Sequence, residues 1–150
     1  MPMSELREFA SEVIDLAHSY GAQVLLNGDP QLACDLGADG VHLTAAQTMK
    51  LTTRPACEWV AASCHNAAEL SKAIHLGADF VVMGPVMPTL SHPGVPGLGW
   101  ERFAQLVQDT PLPVYALGGM RPNDLEAAQR AGAHGIAMQR EIWDVDSVQR

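Results

Sequence analysis

"LGADFVVMG", Leu76 to Gly84, is the stretch on which the fold turns. A helical pattern ends as it begins, Gly77-Ala78 follows, and a continuous apolar run from Phe80 to Met83 comes next. Glycine just past a helix end supplies the left-handed conformation that terminates it. An apolar run that does not alternate with polar residues is the pattern of a parallel strand covered on both faces. The same grammar recurs in "YGAQVLL" from Tyr20, "LGADGVHL" from Leu36 and "AGAHGIAM" from Ala131. The copies start at uneven intervals, so they do not make a solenoid of fixed period. They make an αβαβ chain that reuses one stop signal.

Working out from these junctions, strands are predicted at 22–27, 40–43, 59–63, 79–84, 113–117 and 135–138. Leu6, Phe9, Ala10, Val13, Ala17 and Tyr20 mark one face of a first helix. Asn66 followed by Glu69 reads as a cap with its reciprocal acid, with Leu70, Ala73 and Ile74 as the buried stripe. Pro122 fits the first turn of another helix, with Leu125, Ala128 and Ala131 facing inward. Trp59, Trp100 and Trp143 are expected to pack helices against the sheet. No linker or second domain is visible, so residues 1–150 read as one unit. Two layouts fit: an open doubly wound sheet, or a (β/α)₈ barrel lacking two strands. Either puts the chemistry at the carboxyl ends of the strands.

Hydrophobic residues make up 47% and charged residues 17% of the 150 positions, a globular composition. A net charge of −8 argues against nucleic acid or an anionic membrane as main partners and leaves room for an anionic small molecule in a locally positive pocket. No apolar run approaches the roughly 18–20 residues of a membrane span. Cys34, Cys57 and Cys64 form no paired framework and no Cys-x-x-Cys spacing, and no signal peptide is seen at Met1; a reducing cytoplasm is expected.

Between the strand ending at Met83 and the helical pattern from Trp100 lies "GPVMPTLSHPGVPGLGW", a connection rich in proline and glycine. A βα junction takes about two to six residues, and connections of roughly 12–15 are usually functional or disordered. "LGGMRPND" places Gly118-Gly119 directly after a strand and before a helix start, which lets backbone N–H groups approach an anion; a tight turn that merely needs glycine is the other reading. In "ASCHNAAEL", Ser63 and His65 share one side of the extended run and are candidates for a phosphate donor and a general acid/base; a histidine that only satisfies a helix terminus is the other reading. Cys64 points the other way as apolar filler, so Cys64 and His65 do not make a nucleophile pair. His42 reads as core or ligand. A magnesium site wants carboxylate oxygens, and near the first two strand ends only Asp29 supplies one; no zinc spacing is present, and no metal site is expected. Arg121 and Arg140, each just beyond a strand, are anion partners by position.

Taken together, "LLNGD", "LGADGVHL", "SCHNAAEL", "LGADFVVMGPVMPT", "PGLGW", "PVYALGGM" and "AGAHGIAM" stand in the order and spacing of the thiamine phosphate synthase/TenI family, which the chain resembles along essentially its whole length. "SHPGVPGLGWERF" is similar to TenI-like domains fused behind Nudix hydrolases of the MutT type. The resemblance implies a TIM (β/α)₈ barrel truncated by its first two strands, with about six parallel strands present. It also implies unpaired edges that a homo-oligomer or a Nudix domain would complete, unless the reading frame is shortened or the sheet rearranged.

By the same resemblance, the ligand is a phosphorylated small molecule of thiamine biosynthesis. Asn27, Ser63, Thr89, Gly118 and Gly119 stand at binding positions, with Ser91 in the same phosphate-gathering loop. His92 replaces a loop lysine, and Arg140 replaces a serine after the last strand. The family's magnesium-binding aspartate falls at Gly28 and its second acid at Gln47, so Mg2+ would enter only if Asp29 substituted. Loss of both ligands removes the anchorage for a departing pyrophosphate and puts synthase activity in doubt. TenI-type chemistry, which isomerises a thiazole carboxylate phosphate by moving protons, needs a phosphate grip and an acid/base group, with His65 at the matching position. The alternative is a non-catalytic phosphate-binding or regulatory module associated with a Nudix hydrolase.

Overall fold

Six parallel strands lie side by side in the order in which the chain makes them, β1 Leu25–Asn27, β2 Gly40–Leu43, β3 Trp59–Cys64, β4 Phe80–Met83, β5 Val114–Leu117 and β6 Gly135–Ala137. The computed structural model describes residues 2–89, 94 and 96–139. Helices α1 Met3–Ser19, α2 Pro30–Asp35, α3 Ala45–Lys50, α4 Ala67–Leu76, α5 Gly99–Val107 and α6 Leu125–Arg130 alternate with the strands. A doubly wound sheet reverses its strand order at a switch point. Sequential order without reversal is the winding of a barrel wall, and among the described residues no strand closes β1 onto β6.

The Gly-Ala junctions explain why every helix–strand unit ends alike. Gly21, Gly37, Gly77 and Gly132 all have positive φ, between 70° and 94°. Each following alanine donates its N–H back over the helix end, Ala22 to Ala17, Ala38 to Ala33, Ala78 to Ala73 and Ala133 to Ala128, at 2.9–3.0 Å. The next residue then starts the sheet: Asp39, Asp79 and His134 donate N–H to the carbonyls of Val24, Val60 and Val114. Where that residue is aspartate its side chain works too, Asp39 accepting from Val24 N–H and Asp79 from Val60 N–H, both at 2.7 Å.

Strand alternation divides the sheet into two faces. Val41, Leu43, Val60, Ala62, Val81, Met83, Val114 and Ala116 are buried on the helix-facing side. Ala62, Val81 and Met83 pack there with Leu70, Phe103, Val107 and Ala128 from the helices. The opposite face, with His42, Ser63, Phe80, Tyr115 and Leu117, is only partly buried.

In α1, Ala10 and Ile14 are buried, while Phe9, Val13 and Tyr20 are 58%, 39% and 83% exposed, because no neighbouring element covers that side among the described residues. Two expectations change. Leu125 is exposed, since the segment from Pro122 opens as a 3-10 turn, Pro122–Asp124, which rotates it away from the core seen by Ala128. Trp59 stands with Ala61 and Ser63 on the inner face and not against the helices, whereas Trp100 packs on the helix-side core, edge-on to Phe103. Trp143 lies outside the described residues.

Candidate functional site

The carboxyl ends of β3, β4, β5 and β6 enclose a cavity of about 440 Å³. Ser63, Cys64 and His65 form one side, Gly84 to Thr89 the next, Gly118 to Arg121 the third, and Ala137 to Gln139 the last. This volume is in the range of small-ligand pockets. Among the described residues no Asp or Glu lines it. Arg121 contributes a cationic side chain to its wall.

The first described residues after β4 are placed by the turn after β5. Gly84–Pro85 is a cis peptide bond. Val86 N–H donates to Leu117 O at 2.8 Å and Met87 N–H to Gly118 O at 3.1 Å, so the loop continues the sheet over the Gly118–Gly119 turn. Leu98 and Gly99 then donate to Pro85 and Val86 carbonyls, bringing the chain back into α5. Both turn glycines are required by geometry. Gly118 (φ 101°) would place a Cβ 2.6 Å from Pro85 Cα, and Gly119 (φ 66°) would place one 2.9 Å from Met87 Cβ. The helix after this turn is one 3-10 turn and six α-helical residues, so a helix dipole adds little there.

His65 follows the last residue of β3, and Glu69 sits four residues on, in the first turn of α4. Glu69 Oε2 accepts from His65 N–H at 2.7 Å and meets its Nδ1 at 2.8 Å. A carboxylate only accepts, so the proton rests on Nδ1 and Nε2 is left as the ring atom able to take or give one. Asn66 caps the same helix by accepting from Glu69 N–H at 3.0 Å, which fixes the backbone that carries the pair. Ser63 Oγ lies 2.9 Å from Nε2 of His42, one strand across. Burial pushes the His42 imidazole below its ordinary value, which favours the neutral ring beside the hydroxyl. Cys64, between Ser63 and His65, belongs to the helix-side core and reaches the cavity only at the strand end; burial, with the Glu69 charge adding to it, pushes its thiol up to about 12.

Of the residues singled out in the sequence, Ser63, His65, Thr89, Gly118 and Gly119 therefore share one cavity. Asn27 does not line it; it ends the edge strand β1, exposed, in register with His42. Ser91, His92 and Arg140 lie outside the described residues. Sequence reasoning passed over Glu69 as a partner of His65, although the i, i+4 spacing carried it. It also passed over Met87, Met120 and Met138, which line the cavity with flexible, polarisable side chains.

The positions that would hold magnesium do not fit the ion. Gln47 is committed to its helix and loop: its Oε1 accepts from Thr44 and its Nε2 donates to Gly28 O at 2.9 Å. Asp29 caps α2 by accepting from Gln31 N–H at 2.9 Å. One carboxylate already engaged at a cap and one neutral amide do not make the oxygen shell magnesium demands. Among the described residues no three His, Cys, Asp or Glu side chains are grouped to hold a metal.

A sequentially wound parallel β/α sheet with a small-ligand-sized cavity at its strand carboxyl ends defines a barrel-type protein. The family model described as thiamine monophosphate synthase (TMP-TENI) matches residues 1–142. The chain belongs to that family, whose business is thiamine biosynthesis. It is 34% identical over 143 residues to a putative thiamine-phosphate synthase of Geobacter sulfurreducens, covering 92% of this chain and 67% of the relative. It is 34% identical over 144 residues to the thiamine-phosphate synthase of Nostoc sp., covering 93% of this chain and 40% of the relative. A solved thiamine phosphate pyrophosphorylase from Pyrococcus furiosus superposes with a TM-score of 0.74 at 25% identity, over 92% of this chain and 67% of that one. The chain thus spans about two thirds of the Geobacter relative and less than half of the Nostoc one.

Proposed function

We propose that this chain binds a thiazole phosphate-like molecule in the cavity at the ends of β3 to β6 and that His65 moves a proton on it, in the manner of a thiazole tautomerase. One observation carries this reading: an acid/base histidine, a glycine–glycine turn, Ser63, Thr89 and Arg121 converge on one cavity with no carboxylate in its wall among the described residues. The amides of the Gly118–Gly119 turn and the Arg121 side chain suit a phosphate. Met87, Met120 and Met138 suit the sulfur-containing ring. Glu69 orients His65 and leaves Nε2 as the exchanging atom. Without a fit for magnesium, the pyrophosphate-releasing transfer of the synthases lacks its anchorage, while proton transfer needs none.

Calorimetry with thiazole phosphate is expected to show saturable binding, and His65→Asn is expected to keep that binding while tautomerisation falls by at least about 10²-fold. Undiminished turnover in the variant would remove His65 from the chemistry, and absence of binding heat at high ligand concentration would remove the ligand. The exposed apolar side of α1 and the β1 and β6 edges, unpaired among the described residues, favour a second reading, a non-catalytic sensor that completes its sheet against a second copy or a Nudix hydrolase. Binding of thiazole phosphate with no turnover in the wild-type chain selects it.

A further inference from the structure

Outside the cavity, two thiols that are 23 positions apart in sequence face each other. Cys34, exposed in the last turn of α2, has its Sγ 3.5 Å from the Sγ of Cys57, which is half-buried in the segment leading into β3. The spacing of the cysteines shows no paired framework, but the packing of α2 beside that segment makes a pair. Both sulfurs are seated by backbone: Cys34 Sγ lies 3.8 Å from Ala56 O, and Cys57 Sγ lies 3.9 Å from Pro30 O. The Cys57 side is held from beneath by Arg54, which donates to Glu58 O at 3.0 Å and to Asp79 Oδ2 at 2.8 Å, and also to Gly77 O. Neither cysteine lines the cavity.

We infer that Cys34 and Cys57 are a modification site, a dithiol that hydrogen peroxide closes to an intramolecular disulfide and a dithiol reductant reopens. The exposed Cys34 reacts first, its thiolate attacking one peroxide oxygen; the O–O bond breaks, Cys34 becomes the sulfenic acid, and the leaving hydroxide takes the thiol proton as water. The Cys57 sulfur then attacks the Cys34 sulfur, the S–S bond forms, the S–O bond breaks, and a second water leaves with the Cys57 proton. Two electrons pass from the two sulfurs to the peroxide, so the step balances. A disulfide needs about 2.05 Å between sulfurs. The pair closes by roughly 1.5 Å of approach, within reach of side-chain rotation at the end of a six-residue helix. Cys64 stays out of the reaction, since it is 1% exposed in the helix-side core.

The site joins the edge unit β1–α2 to the chain entering β3, so closing it restrains the unfolded chain without touching the cavity. The test uses the reduced full chain, treated with hydrogen peroxide, alkylated, and digested without reductant. The expected product is lighter by about 2 Da, carries a Cys34–Cys57 cross-linked peptide, and has one alkylated thiol, on Cys64. Its Tm is expected to rise by about 5–10 °C, a gain that dithiothreitol reverses and that Cys34→Ser and Cys57→Ser both fail to make. Sulfinic acid on Cys34 with Cys57 still alkylatable, a cross-link between chains, a bridge to Cys64, or three alkylatable thiols after treatment would each overturn the inference.

Discussion

Cys64 sits between the two residues proposed to meet the ligand and has the opposite character from both. Ser63 and His65 offer polar atoms to the cavity, whereas Cys64 completes the packing of Leu70 and Met83 on the helix side. Its thiol is pushed to about 12, by burial first and by the Glu69 charge second. The ordinary value of about 9 applies to the unfolded chain. Below pH 9 both states hold the proton and pH has no effect through this group. Between about pH 9 and 12 the unfolded chain releases it and the folded one does not, so stability falls as pH rises, by at most about 1.4 kcal/mol per unit. Urea unfolding of wild type and Cys64→Ala from pH 8 to 11 is expected to show a steeper alkaline decline in the wild type. Parallel declines would mean that Cys64 keeps no special proton. The alternation that separates Cys64 from its neighbours was readable from the strand pattern; the His65–Glu69 and His42–Ser63 pairs were less so, because one needs a helix turn and the other a neighbouring strand to close.

The helix–strand junction is the element that the sequence announced most clearly, because its signal is local. A glycine at positive φ and an alanine that bonds back over the helix end need only five or six consecutive residues, and all four copies have the same geometry. The loop from Gly84 to Gly99 is the opposite case. Its proline and glycine content marked it as unusual, but its first residues, Val86 and Met87, are placed by the Leu117 and Gly118 carbonyls, 31 positions later in the chain. Comparing two glycines separates local need from tertiary need. Gly21 and Gly119 have nearly equal φ, 70° and 66°, but a Cβ meets nothing within 4 Å at Gly21 and meets Met87 Cβ at 2.9 Å at Gly119. Gly21→Ala is expected to cost about 1–2 kcal/mol from backbone conformation alone. Gly119→Ala is expected to cost a further 1–3 kcal/mol, roughly, from overpacking, and to weaken thiazole phosphate binding at least about tenfold while Gly21→Ala leaves it unchanged. Equal effects on stability and binding would separate the loop from the site.

The described residues form a barrel wall whose helix-facing strand side chains are buried and whose inner face is only partly covered. Residues such as Val41, Val60, Ala62 and Val81 are wholly buried, while His42, Trp59, Phe80 and Tyr115 on the other face are not, and the Trp59 Nε1 is buried with no hydrogen-bond partner among the described residues. The same imbalance shows in α1, where the apolar periodicity marks a helix face that is covered only in part. Periodicity reports which side a helix would bury; only the neighbouring elements decide whether that side is covered. The two sides of α1 should therefore respond differently to substitution. Ile14 is 3% exposed, and Ile14→Ala is expected to cost about 2–5 kcal/mol in urea unfolding. Phe9 and Leu16 are 58% and 61% exposed, and Phe9→Gln with Leu16→Gln is expected to stay within about 0.5 kcal/mol of wild type, with a Tm independent of protein concentration. If the double variant instead loses as much as Ile14→Ala, and the wild-type Tm climbs with concentration, these side chains are buried against a second copy and the open face is closed in solution.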